Sequence, residues 1–148
     1  MAYTERYGVG NFVPNGSAVL ATDSLTATGD HGEHIALTSL NLRRIYFVVT
    51  TLVVGTSTDP VVTFTRRPTP GSATGESIIG TLAIPDATAV GKILFKDVDV
   101  VLDAGDSLEL SVSVAALGGT PAGNGLYGWD ANHCPDDPNN EADVSLSV

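Results

Sequence analysis

Basic residues are scarce in this chain and vanish from its last third. Its 148 residues hold 17 Asp and Glu against 7 Lys and Arg. No Lys or Arg follows Lys96, while ten carboxylates lie between Asp97 and Asp143. So acidic a chain lacks the counterion-release term that drives nucleic-acid binding, and DNA and RNA are excluded as expected partners. There is one cysteine, Cys134, so no disulfide can form within the chain. Lys, Gln and Met are almost absent, leaving few strong helix formers. The most apolar stretch, 45–54, is too short and too Thr-rich to span a bilayer. No apolar run follows Met1-Ala2-Tyr3-Thr4-Glu5-Arg6 as a secretory signal would require. The expectation is a soluble protein without signal or membrane partner, made and folded in a cytoplasm. Charge is low at 16% and apolar content is 43%, the reverse of a disordered composition.

What the chain does have is β-branched residues in short runs separated by Gly, Pro, Asp and Asn. Leu108, Leu110, Val112 and Val114 alternate with Ser107, Glu109, Ser111 and Ser113, predicting a strand with one buried and one wet face. Val144, Leu146 and Val148 alternate in the same way and predict a terminal strand. Ile45 to Val49, continued by Leu52 to Val54, is apolar on both faces and reads as a central strand covered on both sides. Further strands are expected at 17–22, 34–37, 61–65, 77–84 and 92–102, with a tight hairpin at 102–106 in which Gly105 supplies a positive φ. No stretch shows a 3.6-residue period. Eight or nine short strands predict an all-β, two-sheet sandwich of jelly-roll type, one domain over 1–148 with a short N-terminal arm at about 1–10. Two irregular loops are expected, 67–75 and 118–141, the second being the better functional surface.

Several constellations could carry chemistry. Gly105-Asp106-Ser107-Leu108 and Asp130-Ala131-Asn132-His133 resemble the nucleophile block and the Asp-x-x-His of the GDSL esterases. Those belong to a parallel α/β fold with the motifs at opposite ends of the chain. Here Ser107 and His133 are 26 residues apart in a chain without helices. Ser107 would open a strand on its solvated face, with no base or oxyanion hole around it. The expectation is that the protein is not an enzyme and needs no cofactor. Asp30-His31-Gly32-Glu33-His34 gathers possible metal ligands, but no further ligands fall at a recognisable spacing. Asp130, Asp136 and Asp137, with Asn132, Asn139, Asn140, Glu141 and Asp143, form an oxygen-rich stretch that suits calcium in chemistry but not in EF-hand spacing. They are the weak candidates for a metal. Tyr127 and Trp129 flank Gly128; exposed, they would contact a sugar or a protein, and otherwise they belong to the core. The pairs Arg43-Arg44 and Arg66-Arg67 hold four of the seven basic residues and are, with Tyr127 and Trp129, the candidate partner-binding residues; otherwise they are solvated charges flanking strands.

The stretch Asp99-Val100-Val101-Leu102-Asp103-Ala104-Gly105-Asp106-Ser107-Leu108-Glu109-Leu110, in a compact all-β chain of low charge, resembles the hairpins of the small decoration or cement (head-associated) proteins of tailed bacteriophages. The resemblance covers the chain in architecture only and carries no functional residue across. It implies a virion component on the capsid exterior, a trimer by preference, that binds the major capsid protein and clamps neighbouring shell subunits. The alternative is a carbohydrate-binding or adhesin module, calcium-dependent, built on Tyr127, Trp129 and the acidic loop.

Overall fold

The computed structural model describes residues 16–19 and 25–133. Among them there are eight strands and no helix: β1 (Gly16–Val19), β2 (Gly29–Ile35), β3 (Leu40–Val54), β4 (Val61–Arg67), β5 (Ser77–Ala83), β6 (Ile93–Leu102), β7 (Ser107–Val114) and β8 (Ala122–His133). They form two four-stranded antiparallel sheets, ordered β1-β8-β3-β6 and β2-β7-β4-β5. The pairing is nested: β4 with β5, β3 with β6, β2 with β7 and β1 with β8. One long antiparallel ribbon has thus been rolled around a core, which is the topology of a jelly roll and the sandwich expected from the strand pattern.

The inner faces supply a continuous core. Leu40, Leu42, Ile45, Phe47, Val49 and Val53 of β3, with Tyr127, Trp129 and Ala131 of β8, face Val62 and Phe64 of β4 and Leu108, Leu110 and Val112 of β7. Leu25, Ala36 and Ile84, from connecting segments, complete the same core. Each fully buried side chain of this size contributes about 1.5–3 kcal/mol of hydrophobic stabilisation.

Strand β3 departs from expectation in an informative way. The two apolar runs are one 15-residue strand, central in its sheet between β8 and β6. Only one of its faces is core, however. Tyr46 and Val48 on the other face are half-buried, because β-branched and aromatic residues also suit the outer side of a pleated sheet. The register shifts between Leu42 and Arg44 against both neighbours. This bulge at Arg43 lets Leu42 and Ile45, three apart, both point inward.

The 102–106 hairpin forms as expected, with Gly105 at φ 94°. The loop expected at 118–141 is not one: residues 122–133 are β8, hydrogen-bonded between β1 and β3. Glycine at 123, 125 and 128 disguised it. Cys134, Asp136, Asp137, the terminal strand at 144–148 and the N-terminal arm lie outside the described residues.

Candidate functional site: the outer face of the β3 sheet

The two outer faces of the sandwich differ in how their apolar side chains are grouped. On the β3 sheet, alternation places Arg44, Tyr46 and Val48 outward on β3. Ile93, Phe95 and Asp97 follow outward on β6, and Leu126, Gly128 and Asp130 on β8. Cross-strand register aligns them: Tyr46 is opposite Phe95 on one side and Gly128 on the other, and Val48 is opposite Ile93 and Leu126. Ile93 and Phe95 are 56% and 55% exposed. Arg44, Tyr46, Ile93, Phe95 and Asp130 line a shallow groove of about 360 Å³.

Charges border this apolar patch on one side. Arg44 Nε donates to Asp97 Oδ1 at 2.7 Å, and its guanidinium carbon lies 4.3 Å from the centre of the Phe95 ring. The Asp97 carboxylate holds the Arg44 guanidinium above its ordinary range. Arg43, thrown outward by the bulge, reaches Asp99 at 3.2 Å. Apolar side chains beside oriented charge is the composition of a protein contact, in which aromatics and Arg are the enriched anchors.

The outer face of the β7 sheet carries mainly polar groups in its middle, with Ile78 and Ile35 exposed on its outer strands. The Thr63 and Ser113 hydroxyls are 2.7 Å apart. Ser107, expected on a solvated face, is fully buried, and the loop at 68–76 folds back to Glu33 beside it. Its hydroxyl donates to Glu33, which also accepts from the Gly71 amide at 2.9 Å, and the two bonds hold the Glu33 carboxyl below the usual range. Asp106 accepts from the Asp103 amide and from Arg66 Nε at 2.6 Å, while Arg66 also meets Asp103 at 3.1 Å. Arg66 therefore fastens the 102–106 hairpin. Arg67 lies near Glu76 at 3.3 Å, Asp30 at 3.9 Å and Glu109 at 4.0 Å.

These positions sort the residues singled out from sequence. Arg43, Arg44 and Asp130 come together on the β3 sheet; Arg66 and Arg67 lie on the other sheet and hold loops. All four arginines are engaged in ion pairs, more than solvated flanking charges would be. Tyr127 and Trp129 are only 2% and 4% exposed, in the core, and offer no platform for a sugar ring or a partner. The Trp129 ring lies tilted against His34, with centroids 4.6 Å apart, and His34 Nε2 is 3.1 Å from the Tyr127 hydroxyl. Asp30 and Glu33 of β2 point outward while His34 points to the core, and no group of three or more possible metal ligands occurs among the described residues. Ser107 and Asp130 stand on opposite outer faces with the sandwich, about 10 Å between sheets, separating them, so the esterase-like motifs do not meet. Sequence reasoning missed Phe95, Ile93 and Tyr46. The available signal was that β6 carries apolar residues at both odd and even positions, from Ile93 to Leu102.

No family model matches the sequence, and no curated protein matches it either. Among solved structures, similar chains come from infectious bursal disease virus. The structure of the Gx strain aligns over 85% of this chain at 15% identity with a TM-score of 0.41. The VP2 subviral particle aligns over 85% at 15% identity with a TM-score of 0.37. The chain spans about a third of the length of these proteins, 31% and 32% respectively. Superposition this loose assigns no function to the chain.

Proposed function

We propose that this protein is a non-enzymatic structural component of a virion, a decoration or cement protein that binds the outer surface of a phage head and stabilises it. The observation that carries the reading is the pair of exposed residues Phe95 and Ile93 on the outer face of the β3 sheet, bordered by the Arg44–Asp97 ion pair. Such a face binds by buried area and shape, which is what clamping a shell requires. The rolled antiparallel ribbon is a rigid frame that presents the face with little ordering cost on association. The acidic balance of the whole chain suits a position outside the shell, away from packaged nucleic acid. The carbohydrate-binding alternative has lost its two aromatic candidates to the core.

The test is absolute mass in solution by size exclusion with light scattering, with calcium and with chelator, followed by cosedimentation with purified heads of the phage that encodes the chain. A species near three times 15.2 kDa, indifferent to chelator, that pellets with heads supports the proposal. A chelator-sensitive monomer that stays in the supernatant overturns it.

A further inference from the structure

Glu109 sits in the middle of β7 on the outer face of its sheet, yet only 3% of it is exposed. One of its carboxyl oxygens, Oε1, is buried without a hydrogen-bond partner. The register sets Glu33 of β2 directly opposite it on one side and Thr65 of β4 on the other. Like charges in such a cross-strand pair repel. Around it stand Asp30 and Glu33 from β2, Arg67 from β4 and Glu76 from the segment leading to β5. Tyr127 of β8 completes the set from across the core. One guanidinium thus faces four carboxyl groups, and it stands 4.0 Å from Glu109. The cluster cannot hold four full negative charges around one positive one without cost.

The same cluster closes one side of the sandwich. Glu33 joins the 68–76 loop to β2 through the Gly71 amide, and joins β2 to β7 through the Ser107 hydroxyl. Arg67 ties β4 to Asp30 of β2 and to Glu76 at the end of the loop. β2 is an edge strand, paired only with β7, so the outer side of its free edge depends on these contacts.

We infer that Glu109 and its ring of Asp30, Glu33, Arg67 and Glu76 form a proton-operated latch, which holds β2 and the 68–76 loop against the sheet while Glu109 is protonated and loosens them when it ionises. The direction follows from the surroundings. Burial, then contact with the Asp30 carboxyl, pushes the Glu109 carboxyl up to about 7; Arg67 and the Thr65 hydroxyl oppose the rise. Once the latch opens to water, Glu109 returns to the ordinary carboxylate range. Each pH unit between that range and about 7 therefore favours the open form about tenfold. His34, on the core side of β2, works in the opposite sense: burial holds its imidazole below the ordinary value, so acid rather than base disfavours its packing. The two effects are separable by direction.

The experiment is a carbon-detected titration of the Glu109 carboxyl, together with native-state amide exchange at pH 5.5 and 8.0, corrected for intrinsic rates. Glu109 is expected to titrate near neutrality. Protection at Gly71 and along β2 is expected to fall about tenfold or more at pH 8.0, while amides of β3 such as Phe47 keep theirs. Glu109→Gln is expected to retain the low-pH protection at both pH values. A Glu109 titration in the ordinary carboxylate range, β2 protection equal at both pH values, or the same loss in Glu109→Gln would each overturn the latch. The titration and the two-pH exchange of the unaltered protein decide the matter if the variant fails to fold.

Discussion

His34 and Tyr127 join the two sheets through the core: His34 Nε2 on β2 lies 3.1 Å from the Tyr127 hydroxyl on β8. Each side chain is a polar group in an apolar interior, and each satisfies the other. Tyr127 also meets the Phe64 ring edge-on at 6.4 Å, so its ring packs with β4 while its hydroxyl holds β2. Trp129 closes the group by lying against the His34 ring. The aromatic residues of β8 that sequence offered for a binding surface thus act as interior cross-links.

Tyr127→Phe keeps the ring and removes the bond. The expected cost is about 1 kcal/mol, that of one hydrogen bond lost with a partner left buried. Burial holds the Tyr127 phenol above and the His34 imidazole below their ordinary values. For His34, whose folded value is depressed, the stability contribution is complete above about pH 6.5 and is lost as pH falls through the folded value. Urea melts at pH 5 and pH 8 check both points in the Glu109→Gln background, where the opposite pH trend of Glu109 is absent: the protein loses stability toward pH 5, and replacing His34 with Leu removes this His34 component of the acid loss.

Gly32→Ala strikes the same contact from the other side. A Cβ at Gly32 would overlap the Tyr127 hydroxyl, and the hydroxyl cannot retreat because the ring is packed in the core. The expected destabilisation is about 1–3 kcal/mol, an overpacking cost. In the background of Tyr127→Phe the same substitution is expected to cost measurably less. A thermal-melt double-mutant cycle checks this coupling.

Glu109→Gln is expected to stabilise the protein at pH 8 while changing little at pH 4. The folded-state carboxyl is raised to about 7, so its contribution is fully present below the ordinary carboxylate value and declines as pH rises to about 7. The gain at pH 8 has an upper bound of about 3.5 kcal/mol, since one pKa unit corresponds to about 1.4 kcal/mol. Stability measured against pH for both proteins checks it, with curves that separate between about pH 4.5 and 7 and run parallel above.

The fold was readable where pattern and environment agree. β7 alternates strictly because one of its faces meets the core, and its partner β4 and the Gly105 hairpin follow from ordinary strand and turn chemistry. Legibility ended where a distant segment changes the environment. Ser107 and Glu109 read as solvated residues and are buried, beside Glu33 and Arg67 from strands distant in the chain. β8 read as a loop because its inward positions include Gly123 and Gly125, placed against Leu25 and the Phe47 ring. The period-two spacing of Tyr127, Trp129 and Ala131 was the signal that these inward positions continue a strand. The candidate contact surface was the least legible part. Nothing in the composition distinguishes Phe95, pointing out, from Phe47, pointing in; the register with β3 decides it.

That difference between two phenylalanines yields the sharpest test of the proposed function. Phe47 is fully buried beside Ile45 and Val49, and Phe47→Ala leaves a cavity expected to cost about 3–5 kcal/mol in any state of assembly. Phe95 is more than half exposed, and it touches the Arg44 guanidinium rather than the core. Phe95→Ser is expected to leave the melting of the isolated chain within about 1 kcal/mol of wild type, because what is lost is a surface cation–π contact and a half-exposed cross-strand pair with Tyr46. If the outer face of the β3 sheet is the contact, the same substitution removes an aromatic anchor and weakens cosedimentation with heads by tenfold or more, an effect of about 1.4 kcal/mol. Asp99→Ala, at the far charged border, should change that binding by less than threefold, as rim charges do. Unchanged sedimentation of Phe95→Ser, with its melting also unchanged, would move the contact to another surface of the sandwich.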